Sequence, residues 1–323
     1  MVVLLHIFCF ALLNLIIVLL GYIFLKRHMV LESWGMLIAS ILLIYFIFLH
    51  DGPVLRMLAI IATTFTAMKV VAVTVGYENK NKSRGLKFSQ WLAFAIGWAG
   101  MRAQPFETMG ANALPNAWPM IKFGISRVIA GLLLILLAHI IVSQHLNCTV
   151  THMLVSAILL VALSLTLHFG VLSISAGGWR LLGVNTYLLF KEPVKALSLA
   201  EFWSRRWNIA FSEMTSITVY RPLKNKIGSA MALMSAFIFS GFLHELALSV
   251  PVNSGYGLPL LYFVIQGCLV LVEKVIVDRK VRFLQRNIVA RFWTLFWVIA
   301  PMPLLFHTQF IKEIVWPLAG LKY

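Results

Sequence analysis

The sequence predicts an all-α, polytopic membrane protein of about eight transmembrane helices. Of its 323 residues, 61% are hydrophobic and only 12% are charged, whereas a soluble domain carries about a quarter of its residues as charge. The apolar residues are also gathered into long runs, as a helix needs about 20 of them to cross a bilayer. We find no soluble domain and no sequence repeat, so we predict one integral membrane domain over residues 1–323.

Eight apolar runs are long enough to cross the membrane. They fall near residues 2–25, 34–50, 54–76, 121–143, 151–172, 227–251, 258–277 and 288–310. The first run has no basic stretch before it and no small-residue cleavage site, so we interpret it as a retained span and not as a signal peptide. The fifth run is followed by the Gly-rich segment SISAGGWR, which is compatible with a re-entrant turn.

The Lys and Arg residues that give the formal net charge of +16 are concentrated on one side of the membrane. Four segments hold 20 of the 27 Lys and Arg residues, and they are 26–32, 77–90, 173–226 and 273–291. The intervening loops at 143–152 and 252–257 hold none. With eight spans, the four basic segments share one side, which the positive-inside rule assigns to the cytosol, with both termini outside. Topology and anionic lipid headgroups therefore explain most of the charge, without nucleic acid as a partner.

The cytosolic segment SLAEFWSRRWNIAFSEMTSITVYRPL (198–223) predicts an amphipathic helix on the membrane surface. Ser198 and Glu201 form the S-x-x-E pattern of a helix start, and we expect the helix to end at Arg221-Pro222. At 100° per residue an apolar stripe lies opposite a polar one. The apolar stripe is Leu199, Trp203, Trp207, Ala210, Met214 and Ile217, and the polar one is Glu201, Arg205, Asn208 and Ser212. Periodicity alone is also satisfied by a plain interfacial helix with tryptophan anchors.

The stretch FSGFLHELALSVP in the sixth run places His244 beside Glu245 inside the membrane. An ionisable residue in a span is a candidate functional residue, although a single histidine there can also serve helix packing. Ser240 and Gly241 share the face of His244 and leave room beside its imidazole, and Gln266 is the strongly polar side chain of the next span. A neutral imidazole in an apolar cavity is suited to act as a general base.

The sequence predicts neither a metal site nor a disulfide framework. The segment HELAL lacks the second histidine of the zinc-protease motif H-E-x-x-H. The cysteines Cys9, Cys148 and Cys268 are scattered, and their spacing fits neither paired disulfides nor metal ligands.

Two motifs then resemble a known family. FWSRRWNIAF, whose Asn208 precedes His244 by 36 residues, and SGFLHELALSVP resemble the wax synthase branch of the membrane-bound O-acyltransferases, which are related to diacylglycerol and sterol O-acyltransferases. AFAIGWAGMRAQPF is similar to the WPGM…PF stretch of wax synthases, with Ala99 where the family usually has proline. The resemblance covers about residues 88–110 and 175–277, which defines a wax synthase-like core at about 88–277.

The resemblance implies direct transfer of an acyl group from acyl-CoA to the hydroxyl of a lipophilic alcohol, without an acyl-enzyme. By this analogy His244 is the general base and Asn208 lies near the thioester. The residues expected to line the substrates are Trp203, Trp207, Glu245 and Gln266, with the role of Glu245 left open. Acyl-CoA is a co-substrate, and no further cofactor is expected. The expected partners are acyl-CoA, the alcohol and membrane lipids, in the endoplasmic reticulum of a eukaryote or the cytoplasmic membrane of a bacterium.

Two alternatives remain open at this stage. One is transfer of a short acyl group, such as acetyl, to a terpenoid or polyketide hydroxyl, because the motifs do not fix the length of the acyl tunnel. The other is a non-catalytic transporter, for which His168, at the end of the fifth run, is the candidate for a second relay residue. An enzyme should bring His244 and Asn208 to one cavity that opens to the cytosol.

Overall fold

The computed structural model describes residues 2–77, 86–144, 148–279 and 286–323, which contain helices and no strand. The helices are α1 (Val2–Arg27), α2 (Val30–Ile47), α3 (Pro53–Tyr77), α4 (Phe88–Gly97), α5 (Ala117–Ser143), α6 (Thr149–Leu181), α7 (199–206), α8 (209–227), α9 (Ser229–Val252), α10 (Leu258–Asp278), α11 (Asn287–Leu305) and α12 (308–318). All of these except α4, α7, α8 and α12 are long and apolar enough to span a membrane. The predicted all-α, multi-pass membrane protein is confirmed.

The fifth span corrects one expectation from the sequence. The segment SISAGGWR forms no re-entrant turn, because α6 continues through it to Leu181 after a π-helical stretch at Leu165–Val171. The glycine there serves close packing: a Cβ on Gly177 would lie 2.6 Å from the carbonyl oxygen of Ala117 at the start of α5. A glycine that lets two helices approach closely gives the same sequence signal as a glycine in a turn.

The amphipathic segment corrects a second expectation, because it is two helices and not one. Helix α7 ends at Arg206, the chain turns at Asn208, and α8 then runs past Pro222 to Ile227. The proline does not stop the helix, since the π-helical turn at Ser216–Tyr220 directly precedes it and alters the hydrogen-bond register there.

The S-x-x-E pattern at Ser198 predicts two reciprocal hydrogen bonds at the helix start, and the structure shows one of them. The Ser198 hydroxyl accepts a hydrogen bond from the backbone N–H of Glu201 at 2.9 Å, as an N-cap should. The carboxylate of Glu201 instead accepts the N–H of Leu197 at 2.8 Å and pairs with Nε of Arg206 at 2.6 Å. The reciprocal bond of a capping box is therefore displaced by one residue.

The C-terminal segment packs against the ends of the spans that face away from the basic segments. The Trp316 indole donates to the Ser156 hydroxyl at 3.0 Å, and the His139 ring lies 2.8 Å from the carbonyl oxygen of Ala319. The basic segments follow alternate spans and share the opposite end, here called the basic end. Lys80, Lys82, Arg84, Lys280 and Arg282 lie outside the described residues. Assignment of the basic end to the cytosol stays a prediction.

Helix α3 is the central span of the bundle. In its most apolar window 67% of the residues are buried, against 11% in α1 and in α5. The buried Lys69 of α3 donates to the carbonyl oxygens of Phe94 at 3.0 Å, Ala95 at 2.9 Å and Trp98, which ends α4. The lysine thereby satisfies acceptors that every helix C-terminus leaves free and fixes the segment after α4 against the bundle.

Candidate active site

Two cavities meet at His244 and Asn208. The first, of about 330 Å³, lies between α7, α8, α9 and α10, and the second, of about 440 Å³, lies between α3, α6, α8 and α9. Asn208, Phe211 and His244 line both of them. Two polar residues 36 positions apart in the sequence thus come together on one shared wall.

The backbone fixes which nitrogen of His244 faces the cavities as a base. Its Nδ1 lies 2.7 Å from the carbonyl oxygen of Ser240, one turn earlier in α9. Because a carbonyl can only accept, Nδ1 carries the proton and Nε2 keeps its lone pair. Among the residues that the structure describes, Nε2 has no hydrogen-bond partner. The rings of Phe211 and Phe263 flank the imidazole at 5.2 and 4.2 Å between centroids, so the base lies in apolar surroundings.

Asn208 occupies the break between α7 and α8. Its φ of 43° is in the left-handed region, which asparagine tolerates better than most residues. Its Oδ1 accepts the backbone N–H of Phe211 at 3.3 Å and caps α8. That bond assigns the oxygen of the amide and leaves Nδ2, which has no partner among the described residues, as a free donor on the cavity wall.

Both tryptophans of the predicted site line the first cavity. Trp207 lies against Phe202, with parallel rings 5.8 Å apart, and meets Phe190 edge-on at 5.0 Å. Trp203 donates its indole N–H to Oε1 of Gln266 at 3.0 Å. The two side chains form an aromatic wall beside Asn208.

Gln266 does not line either cavity. It is fully buried behind Trp203, and its Nε2 donates to the carbonyl oxygen of Trp297 at 2.7 Å. The side chain therefore joins α10 to α11 and orients Trp203, and the expectation that it lines the substrates directly does not agree with its position.

Glu245 also lies outside the walls of both cavities. Its Oε1 accepts the backbone N–H of Leu260 at 3.0 Å, in the first turn of α10. A carboxylate is stabilised at a helix N-terminus, where backbone N–H groups are unpaired. This bond holds α9 to α10, while Oε2 is buried without a hydrogen-bond partner among the described residues, so the role of Glu245 in the site stays open.

The two cavities differ in polarity and in where they reach the surface. Hydroxyl groups line the first cavity along α7 and α8, and they belong to Ser204, Ser212, Thr215, Ser216 and Tyr220. Ser204 is exposed beside Arg205, so this cavity reaches the surface at the basic end. The second cavity is mainly apolar and includes Ile61 and Leu167, which are 39% and 52% exposed on the outside of the bundle. At these two residues, which belong to α3 and α6, the second cavity reaches the outer surface of the bundle.

A polar network connects the cavity walls near the basic end. Glu213 of α8 accepts the Tyr187 hydroxyl at 2.5 Å and pairs with Nε of Arg102 at 3.1 Å. Burial raises the pKa of the Glu213 carboxyl, and burial together with Glu213 raises the pKa of Tyr187. Arg102 follows Met101, which lines the second cavity, so the network ties the AFAIGWAGMRAQPF segment to α8.

Comparison with known proteins identifies this same region. Residues 187–265, which include both Asn208 and His244, match the profile described as the membrane bound O-acyl transferase family. The chain is 34% identical over 117 residues to the long-chain-alcohol O-fatty-acyltransferase of Simmondsia chinensis. The matched segment covers 31% of this chain and 32% of that relative. It is 31% identical over 168 residues to the probable long-chain-alcohol O-fatty-acyltransferase 1 of Arabidopsis thaliana. This second match covers 50% of this chain and 47% of that relative.

The resemblance to the wax synthase branch of the membrane-bound O-acyltransferases is confirmed. The chain spans about half of the length of the curated relatives it matches, or less. The matched part contains α8, α9 and the break at Asn208, so the shared sequence and the shared wall of the two cavities coincide.

Two residues of the site were not predicted from the sequence. Phe211 lines both cavities and flanks the imidazole of His244, but one more aromatic residue in an apolar segment gives no signal. His168 of α6 lines the second cavity, and the sequence indicated it only as a candidate relay residue of a transporter.

Proposed function

We propose that this protein is a membrane-bound O-acyltransferase that transfers an acyl group from acyl-CoA to the hydroxyl of a lipophilic alcohol. The observation that carries the proposal is the shared wall of the two cavities, where His244 has an unpaired Nε2 and Asn208 an unpaired Nδ2. A base and a hydrogen-bond donor at one point are what attack of a hydroxyl on a thioester requires. The names of the matched relatives support a fatty acyl donor and a long-chain alcohol.

The first cavity is the proposed site of the thioester. It reaches the surface at the basic end beside Arg205, where the phosphates of coenzyme A would find positive charge. The hydroxyl groups along its wall can hydrogen-bond the amides of the pantetheine arm. The thioester carbonyl would then reach Nδ2 of Asn208 at the inner end of this cavity.

The second cavity is the proposed site of the alcohol. Its wall is mainly apolar, and Ile61 and Leu167 bring it to the lipid-facing surface. A long-chain alcohol is already dissolved in the bilayer, so it can reach His244 from that side without crossing water. Donor and acceptor would meet at the residues that both cavities share.

In the proposed reaction, the alcohol oxygen attacks the thioester carbonyl carbon while its proton passes to Nε2 of His244. The carbonyl oxygen becomes an oxyanion and accepts a hydrogen bond from Nδ2 of Asn208. The carbon–sulfur bond then breaks, and the coenzyme A thiolate takes the proton from His244. The products are an ester and free coenzyme A, and His244 returns to its neutral form.

The test is product formation by the purified protein from palmitoyl-CoA and 1-hexadecanol. We expect hexadecyl palmitate, identified by mass spectrometry, with one free thiol released per ester. Acetyl-CoA with geraniol is the matched assay for the short-chain alternative. Ester from that pair alone would correct the acyl donor and acceptor, and no ester from either pair would contradict the proposal.

The proposal also requires the basic end to face the cytosol, in the endoplasmic reticulum of a eukaryote or the cytoplasmic membrane of a bacterium. Cys148 reports on this, because it is exposed at the opposite end and hydrogen bonds from Thr151 lower the pKa of its thiol. In sealed vesicles with the cytosolic face outward, we expect an impermeant maleimide to label Cys148 only after permeabilisation. In a Cys148→Ser background, Lys195→Cys should be labelled without it, and the reverse pattern would overturn the orientation.

A further inference from the structure

Two polar side chains of the second cavity, those of Thr64 and His168, have no part in the proposed reaction. Four polar side chains line this cavity, and they are Thr64, His168, Asn208 and His244. Asn208 and His244 are the proposed donor and base, and the hydroxyl oxygen of Thr64 is buried in the wall, where it has no hydrogen-bond partner among the described residues. His168 remains, an imidazole on the α6 side of a cavity that is otherwise suited to an alkyl chain.

The surroundings of His168 hold its ring in one orientation. It lies in the π-helical stretch Leu165–Val171, and such stretches are frequent at functional sites. The ring lies against Phe190, with centroids 4.7 Å apart and planes 28° apart, and meets Trp207 at 6.0 Å. Its Nδ1 is 3.1 Å from the hydroxyl oxygen of Ser164, one turn earlier.

The bond to Ser164 leaves the other ring nitrogen free for a ligand. When the Ser164 hydroxyl donates to Nδ1, the neutral ring carries its proton on Nε2. Within the described part of the chain, Nε2 has no hydrogen-bond partner. With the Ser164 hydroxyl as the donor, His168 offers the second cavity an N–H donor, whereas His244 offers it a lone pair.

A hydroxyl that moves from the headgroup region into an apolar cavity loses its hydrogen bonds to water, and an unpaired buried hydroxyl is unfavourable. In the proposed reaction the hydroxyl proton of the alcohol is directed to His244. The lone pairs of the alcohol oxygen still have no hydrogen-bond donor. We propose that Nε2–H of His168 donates to the oxygen of the acceptor alcohol and holds it beside His244. This inference rests on the proposed function and makes His168 a binding residue for the acceptor.

The test compares two replacements of His168. His168→Phe keeps an aromatic ring against Phe190 and removes both nitrogens, whereas His168→Gln places an amide donor near the position of Nε2. For His168→Phe we expect the KM for 1-hexadecanol to rise by about 2- to 12-fold, the worth of one net hydrogen bond. Hydrolysis of palmitoyl-CoA in the absence of alcohol should stay within about twofold of wild type, because water needs no such contact. His168→Gln should return most of the lost affinity.

Ser164→Ala provides a second and milder variant. It leaves the imidazole in the cavity but removes the group that sets its tautomer, so we expect a smaller rise in the same KM. If His168→Phe does not yield folded protein in detergent, Ser164→Ala and His168→Gln decide the question. An unchanged KM for hexadecanol in a folded His168→Phe or, failing that, in Ser164→Ala overturns the inference. Equal losses in transfer and hydrolysis also overturn it, since they would place His168 on the thioester side.

Equilibrium binding of tritiated hexadecanol to purified protein separates this inference from the proposed function. If wild type binds the alcohol but forms no ester, the proposed function fails, and weaker binding by His168→Phe still supports the contact. If wild type forms ester and His168→Phe binds hexadecanol as tightly as wild type does, the contact is wrong and the proposed function stands.

Discussion

His244 and Glu245 are neighbours in the chain, yet they belong to different regions of the molecule. His244 lies in the reaction chamber, by which we mean the place where the two cavities meet, lined by Asn208, Phe211 and His244. Glu245 belongs to the helix clamps, by which we mean the polar side chains of Lys69, Glu245 and Gln266, each of which bonds another segment; Lys69 and Gln266 are buried and Glu245 is partly buried. One step of about 100° around α9 separates the two uses.

The two regions differ in what their polar atoms do. Both polar atoms of Gln266 are bonded, Lys69 donates to three carbonyl oxygens, and Glu245 accepts a backbone N–H. In the chamber, His244 and Asn208 each use one atom to fix the side chain and leave the other free. An unpaired atom of a fixed side chain on a cavity wall therefore points to chemistry, whereas a bond from a polar side chain to another segment, away from both cavities, points to architecture.

The largest expected effect is that of His244→Ala. Loss of general-base catalysis typically costs 10²- to 10⁴-fold in rate, so ester formation should fall by about that factor. The melting temperature in detergent should change little, because His244 bonds only a carbonyl of its own helix. Activity within about twofold of wild type would remove His244 from the mechanism.

Asn208→Asp should have the next largest effect. The aspartate keeps an oxygen for the cap of α8 and tolerates the left-handed backbone, but it loses the Nδ2 donor. One oxyanion donor is worth about 10²- to 10³-fold in turnover, and both transfer and hydrolysis of acyl-CoA should fall by this amount.

Asn208→Gly is the matched control for Asn208→Asp, since it also suits a positive φ and removes the amide without adding a charge. The apparent affinity for acyl-CoA should change far less than turnover in both variants, because the contact strengthens in the transition state. A large rise in KM with unchanged kcat would make Asn208 a ground-state contact and leave the oxyanion donor unidentified.

Gln266→Leu tests a clamp, and here stability should respond more than turnover. The change leaves the Trp203 indole and the Trp297 carbonyl without the partners they have now. Hydrogen bonds between membrane helices contribute about 0.6–1.7 kcal/mol each, so we expect thermal unfolding in detergent to occur several degrees lower. A loss of turnover like that of Asn208→Asp, with unchanged thermal stability, would return Gln266 to the chamber.

The smallest effect should be that of Glu245→Gln. The amide oxygen can still accept the N–H of Leu260, so turnover and melting temperature should both stay near wild type. Glu245→Ala removes the acceptor and should lower the melting temperature alone. If Glu245→Gln lost about tenfold or more in turnover, the carboxylate would have a chemical role that the clamp does not explain.

Sequence and structure agree where the information is local. Hydropathy predicted all eight spans, because each run must by itself be long and apolar enough to cross a bilayer. The break at Asn208 was missed, since periodicity continues through it and only the backbone shows the left-handed turn. The partners of Gln266 and Glu245 could not be read from the sequence for another reason: a polar residue in a span must find a partner, but the sequence does not say whether the partner is a substrate, an indole or a helix end.

The most direct test of the central claim is a structure of the protein with an unreactive acyl-CoA analogue, in which a methylene replaces the thioester sulfur, and 1-hexadecanol. We expect the analogue's carbonyl oxygen within hydrogen-bonding distance of Nδ2 of Asn208 and the alcohol oxygen beside Nε2 of His244, with the coenzyme A headgroup at the basic end. A carbonyl held away from both residues, or a headgroup at the opposite end of the bundle, would contradict the account.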